Sequence, residues 1–302
     1  MPDDQLETRR KTTSISLVIS HCEERVSWIP EYFKDEYNIK DIIVYSKCGN
    51  VVEGIDSLTK LAPTKVVRLE NVGRCDHTYA YWINDHYYKF NKEKDGDDVV
   101  LFLKDNKRFR KMFRGIHDIF THVTETGFAC LKKPECDCYK PCNRGQFEPM
   151  MMHQQKYLMS FALDEYSRTE RDENSDFLSN KYKSLKSWND AMGFRIPKSE
   201  TLPVCYIGMF AAKKKQIFNQ PAYVWERMTK SLSRANNIIE SHYAERMWAT
   251  LLSNQDERYM REIDKVLLPK VTRMVKRLNN GIVCGMLGMY YVKKGETFDN
   301  YF

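Results

Sequence analysis

Three groups of residues in this chain carry chemistry by their type and spacing. The first is Asn71-Val72-Gly73-Arg74. A glycine there permits a tight turn and a close backbone approach to a phosphate or ribose. Asn71 can bond an adjacent chain or a base edge, and Arg74 offers a planar fork suited to a diphosphate. The helix-like run that follows points its N-terminus into the same space, which favours anions. An ordinary turn with a surface arginine fits these residues equally well. The second is Asp105, which ends the apolar run DDVVLFLKDN. A buried parallel strand ending in an acid puts that acid at the sheet's carboxyl edge, where open α/β sheets bind ligands. Hard cations such as Mn²⁺ or Mg²⁺ want carboxylate oxygens. Here one carboxylate stands between Lys104 and Asn106, so a cap or turn role competes, and Lys104 could itself partly neutralise a phosphate. The third is the segment ESHYAERMW, residues 240–248. On a helix, His242 and Glu245 share a face. Glu245 could take a proton from an acceptor hydroxyl, and His242 could ligate the metal. An exposed face with Glu245 salt-bridged to Arg246 is the plainer alternative.

Elements must position these groups. Apolar runs at residues 14–20, 41–45, 66–69 and 99–103 read as strands and alternate with helix-like segments. That alternation is the signature of an α/β fold: a mixed, mostly parallel central sheet flanked by helices, joined by crossovers. Each strand is followed at once by polar residues, which clusters ligands on one sheet edge. Tyr79, Trp82 and Ile83 share one face of the run after Arg74. Residues 108–125, 154–165 and 236–252 read as helices, Pro221 opens another, and residues 202–209 read as one strand. Residues 26–33 suggest an irregular helix with Pro30 near its start. Ile239, Tyr243, Met247 and Leu251 predict one buried stripe on the 236–252 helix. The expected organisation is a flexible tail at 1–13 and a single domain at 14–255, with halves 14–110 and 111–255. A helical extension over 256–302 follows.

The remaining singled-out residues are read more simply. His77 fixes the turn, Met150 to Met152 fill core, and Lys213 to Lys215 make a solvated face. Nine cysteines include a crowded group, Cys130, Cys136, Cys138 and Cys142. Their spacing is not that of a standard zinc knuckle. A structural zinc, free thiols and a local disulfide all stay open. Isolated Cys22, Cys48, Cys75, Cys205 and Cys284 read as small apolar residues.

The net charge is +7, with the basic residues mostly spread along the chain. Nucleic acid is one reading of that excess; an anionic small substrate is another. No aromatic-basic recognition motif accompanies it, so nucleic acid is not the expected partner. No stretch approaches the roughly 20 apolar residues of a membrane helix. The polar start lacks a signal-peptide core, and no Asn-x-Ser/Thr sequon occurs. The expectation is a cytoplasmic protein, with a lumenal Golgi or ER enzyme lacking its anchor as the alternative.

The order of these elements resembles the nucleotide-binding half of the A-type, Rossmann-like glycosyltransferase fold. More specifically, the chain is similar to a eukaryotic and viral glycosyltransferase-like family of unknown function. Its members share a Glu-x-x-Ser-Trp block, here residues 24–28, and an Asn-Val-Gly-Arg-x-x-His-Thr-Tyr block, here residues 71–79. A Phe-Leu-x strand end (102–104) and a late Glu-Arg-x-Trp helix (245–248) match too, as do residues 184–188, Phe210 and 217–223. Many relatives have Asn where Glu23 stands and Glu-Gly where Cys75-Asp76 stand. The resemblance implies transfer of a sugar from a nucleotide-sugar donor to a glycan or other hydroxyl acceptor. His21, Glu23, Tyr45, Lys47, Asn71, Gly73 and Arg74 would then bind the nucleotide diphosphate. Asp105 and His242 would hold Mn²⁺ or Mg²⁺, and Glu245 would serve as base. A non-catalytic glycan- or nucleotide-binding module on a degenerate transferase fold is the rival, favoured by the single carboxylate.

Overall fold

The structure, a computed structural model, describes residues 11–33, 37–106, 116–131, 148–151, 177, 179, 181–196 and 201–253. The helix expected at 154–165 and the extension at 256–302 lie outside these residues, as do Cys136, Cys138, Cys142 and Met152.

Among the described residues eight strands form two sheets: β1 (Ser14–His21), β2 (Asn38–Ser46), β3 (Thr64–Arg68), β4 (Val99–Lys104), β5 (Phe128–Cys130), β6 (Glu148–Met151), β7 (Thr201–Val204) and β8 (Phe210–Lys213). The main sheet has the order β3-β2-β1-β4-β8-β5. The β3–β2, β2–β1 and β1–β4 pairs are parallel, whereas β8 pairs antiparallel with both β4 and β5. It is the α/β architecture that strand–helix alternation predicts, with an antiparallel edge. Because β8 joins β4 in one sheet, residues from both expected halves build a single layer.

β1 and β4 are the centre of this layer, and β-branched and leucine side chains cover both of their faces. The two-residue period sends Val18, Val100 and Phe102 to one face and Leu17, Ile19, Leu101 and Leu103 to the other. The first face meets α2 (Arg74–His86), α5 (Leu185–Met192), α6 (Ala222–Leu232) and α7 (Ile239–Leu252), with a core of Tyr79, Trp82, Phe210, Trp225 and Trp248. The second meets α1 (Ile55–Leu61), α4 (Ile116–Thr126) and a 3₁₀ turn at Ile29–Tyr32 with Pro30 as its second residue. A short α3 (Lys92–Asp95), capped by the Asn91 side chain, precedes β4.

Three expectations are corrected. Residues 202–209 do not form one strand: Ile207 and Gly208 take φ of 73° and 58°, which breaks the extended run between β7 and β8. Helix α7 is not amphipathic; every residue from Ile239 to Leu252 except Glu245 is buried, because sheet, β7 and α2 pack around it. Lys213 to Lys215 are not a solvated face. Lys213 and Lys215 reach Asp97, and buried Lys214 pairs with Asp98 at 3.3 Å beneath the Phe90 ring. This ion-pair group sits at the start of β4, the end opposite Asp105.

Candidate functional site

β1 leads to β2 on one side and lies against β4 on the other, so the crevice between the carboxyl ends of β1 and β4 is the topological switch point of the sheet. The groups singled out in the sequence converge around this edge, but several do different work from that expected.

Asp105 stands where β4 ends and is nearly buried. Its Oδ2 accepts the backbone N–H groups of Cys22, Glu23 and Glu24 at 2.7, 3.0 and 3.0 Å. Its carbonyl accepts the Trp28 indole N–H at 3.2 Å, and its own N–H donates to Ser20. The acid therefore clasps the loop that leaves β1. Cys22 is also joined to Cys48 in a disulfide, Cα atoms 4.9 Å apart, which ties the same loop to the end of β2. Cys22 and Cys48 are thus not simple apolar fillers. Buried His21 lies 4.0 Å from Asp105. Burial lowers its pKa more than Asp105 raises it. Glu23 is exposed, and its backbone N–H ties it to Asp105.

Gly73 is required by a neighbour within the chain. A Cβ at Gly73 would come within 2.2 Å of the Leu232 carbonyl oxygen at the end of α6, and the residue has φ of 56°. Its N–H donates to Ala235 and the Arg74 N–H to Asn236, at 2.7 and 3.1 Å. The first donors of α2 are therefore capped by the α6–α7 connection rather than held out for a phosphate. Asn71 is exposed at the mouth of this turn. Lys47, buried at the end of β2, donates to the carbonyls of Val72 and Arg74. Burial depresses its pKa to about 8. Tyr45 is buried against Tyr81, and burial raises its phenol well above the ordinary value. Neighbouring His77 is pushed down to about 4 by burial and Lys47.

Beside these lies a charged group spread over four elements. Arg74 Nη1 is 3.3 and 3.2 Å from Nδ1 and Nε2 of His242. Burial, then Arg74 and Arg246, lower His242 to about 3, so its imidazole is neutral. Glu245 accepts the Ile207 N–H at 2.6 Å through Oε1 and meets Arg246 at 3.6 Å through Oε2. Burial pushes its carboxyl up, but Arg246, Lys104 and Arg74 together hold it below its ordinary range. For Lys104 burial lowers the ammonium, and Cys75, Glu245 and Asp76 more than offset this. Asp76 is fully enclosed, accepts the Trp248 indole at 2.7 Å, and is raised by burial and then by Glu245.

Asp76, Cys75, Arg246 and Trp248 belong to this group, although the sequence reading assigned none of them to the site. A signal for Asp76 existed: it is three and seven residues before Tyr79 and Ile83, so the buried stripe of α2 carries an acid in register. Glu245 shows the salt bridge to Arg246 that its plainer reading anticipates. A carboxylate held low with both oxygens engaged is a weak base. What its geometry supports is the positioning of cations.

These residues do not fit a divalent ion. Among the described residues no three His, Cys, Asp or Glu converge as ligands. Asp105 commits Oδ2 to three N–H groups, and His242 faces a guanidinium that would repel a cation. For the zinc reading, Cys130 pairs with Cys205 (Cα atoms 5.6 Å apart), while its three companions lie outside the described residues. Buried Cys75 is a free thiol. No helix among the described residues is long and apolar enough to cross a membrane. Neither a protein-family model nor a curated protein sequence matches the chain.

Proposed function

We propose that the chain is a glycosyltransferase that moves a sugar from a nucleotide-sugar donor to a glycan or other hydroxyl acceptor, on an A-type transferase fold. One observation carries this reading: Lys47, Arg74, Lys104 and Arg246 gather at the carboxyl edge of the parallel strands, beside the switch point, with Glu245 among them. Stabilising a departing diphosphate is the largest electrostatic demand of such a transfer. Fixed cations in a partly dry site meet it without reorganising. Arg74 and Lys104 are the groups assigned to the diphosphate, and Glu245 holds them in place. Asp105 and His242 are poor metal ligands where they stand, so the diphosphate charge falls to Arg74 and Lys104.

Titration calorimetry with UDP- and GDP-sugars, with and without Mn²⁺, tests the reading, followed by a donor-hydrolysis assay. The expected result is binding of one donor by the wild type, slow hydrolysis, and loss of both in Arg74→Ala and Lys104→Ala. Absence of donor binding under every condition would overturn it. The engaged state of Asp105 favours a second reading, a nucleotide- or glycan-binding module without turnover; tight donor binding with no hydrolysis selects that one. The Cys22–Cys48 and Cys130–Cys205 pairs favour an oxidising, lumenal setting over the cytoplasm.

A further inference from the structure

A separate groove opens between α5, α6 and the start of α7, with a cavity volume of about 420 Å³. That lies within the range of small-molecule sites, about 300–1,000 Å³. Its walls are built from distant parts of the chain. Ser179 Oγ accepts the N–H groups of Lys181 and Tyr182 at 3.2 and 3.1 Å, which fixes the turn forming one wall. Ser231 on the opposite wall is held by the Trp188 indole at 2.7 Å. The Tyr182 and Met192 side chains are buried in the floor.

Charge in the groove is one-sided. Lys181, Arg227, Lys230 and Arg234 surround it, and Glu240 is the one acid among its lining residues. Buried Glu240 is used up: Arg234 holds it in a two-pronged pair at 3.2 and 2.8 Å and also donates to the Phe177 carbonyl. Lys181 and Arg227 instead rest over the rings of Tyr182 and Tyr223, at 5.2 and 4.7 Å. Among the described residues none of Lys181, Arg227 and Lys230 has a carboxylate within ion-pair distance, so three positive charges line one open groove. Such a concavity focuses potential and selects an anion. The exposed Tyr223 beside it adds an apolar face on which a sugar ring can pack.

We infer that this groove binds the anionic group of an acidic saccharide, a sulfated, phosphorylated or uronic acid sugar. The assignment of a saccharide rests on the glycosyltransferase reading, in which the ligand is the acceptor; the selection of an anion stands on the groove alone. The Leu232 backbone, one residue after Ser231, passes against Gly73, so the groove and the candidate site meet the same end of α6.

The test uses calorimetry and thermal shift on the full chain with a sulfated disaccharide, its unsulfated counterpart, inorganic sulfate and a short oligonucleotide. The sulfated disaccharide should bind and raise the melting temperature, ahead of the other three. Its affinity should fall about a hundredfold in Arg227→Glu/Lys230→Glu. Both residues are exposed, so fold is expected to persist; the milder Arg227→Gln/Lys230→Gln pair should lose affinity in the same direction. Arg74→Ala should leave this binding unchanged. Equal binding of the sulfated and neutral sugars, stronger binding of the oligonucleotide, or unaltered affinity in both double variants would overturn the proposal. Sulfated-sugar binding without any nucleotide-sugar binding would keep the groove and sink the transferase reading.

Discussion

Replacing Asp105 by alanine separates two roles that the sequence alone could not distinguish. As a metal ligand, Asp105 could be lost with activity destroyed and stability intact. As a clasp, it holds the backbone N–H groups of Cys22, Glu23 and Glu24 within 3.0 Å of one oxygen. A hydrogen bond to a charged group contributes about 1.5–3 kcal/mol. Here three donors share one oxygen in a partly exposed loop, and water can replace some of them, so we work with about 2–4 kcal/mol in total. For a domain of this size that lowers the melting temperature by on the order of 5–10 °C. Asp105→Asn keeps an oxygen but loses the charge and should cost about half as much. The Cys22–Cys48 disulfide limits how far the freed loop can move. Reducing it in the alanine variant should therefore destabilise more than reducing it in the wild type. Urea midpoints with the m-value checked give all four numbers. A loss below about 0.5 kcal/mol in Asp105→Ala, together with abolished Mn²⁺-dependent donor turnover, would refute the clasp and restore the metal ligand.

Three further outcomes are expected. Glu245→Gln keeps an acceptor for the Ile207 N–H but removes the charge that organises Arg246 and Lys104. It should weaken nucleotide-diphosphate binding and lower the melting temperature, because buried Arg246 loses its counter-charge; a kcat loss of about 10²-fold or more at unaltered affinity would make Glu245 the base instead. Gly73→Ala must place a methyl group 2.2 Å from the Leu232 carbonyl at a positive φ, so about 3–5 kcal/mol should be lost in urea unfolding, and a loss under about 1 kcal/mol would contradict this. His77 and His242 are held at about 4 and about 3 against an ordinary 6.5. The unfolded chain thus takes up more protons below 6.5, and their contribution is whole above that pH and lost as pH falls toward 3. Roughly 3–6 kcal/mol should disappear by pH 4; a midpoint that His77→Gln/His242→Gln leaves equally pH-dependent would exclude them as the cause.

How legible the molecule was varied with the range of the interactions. Strands 14–20 and 99–103 were visible because a strand buried on both faces has to be an unbroken apolar run, and Pro221 marked a helix start because proline suits a first turn. The face of α2 carrying Tyr79, Trp82 and Ile83 was visible from its period alone. The break between β7 and β8 was not, since Ile207 takes a positive φ where its N–H meets Glu245, 38 residues away in the chain. Nor was the burial of α7, whose polar residues His242, Glu240 and Arg246 satisfy one another's neighbours rather than water.

The sequence by itself determined the alternation of buried strands and helices, and therefore that polar residues would gather at one edge of a parallel sheet. Those follow from periodicity and from each strand's own ends. Only the tertiary structure decided what these residues do. Gly73 is a glycine because the Leu232 carbonyl passes against it, and Asp105 is engaged because a loop 81 to 83 residues earlier turns its N–H groups onto it. Arg74 meets His242 across 168 residues. Contacts at such separations leave no periodic trace in the chain, so the same residue types read equally well as ligands of a phosphate or a metal until the fold supplies their partners.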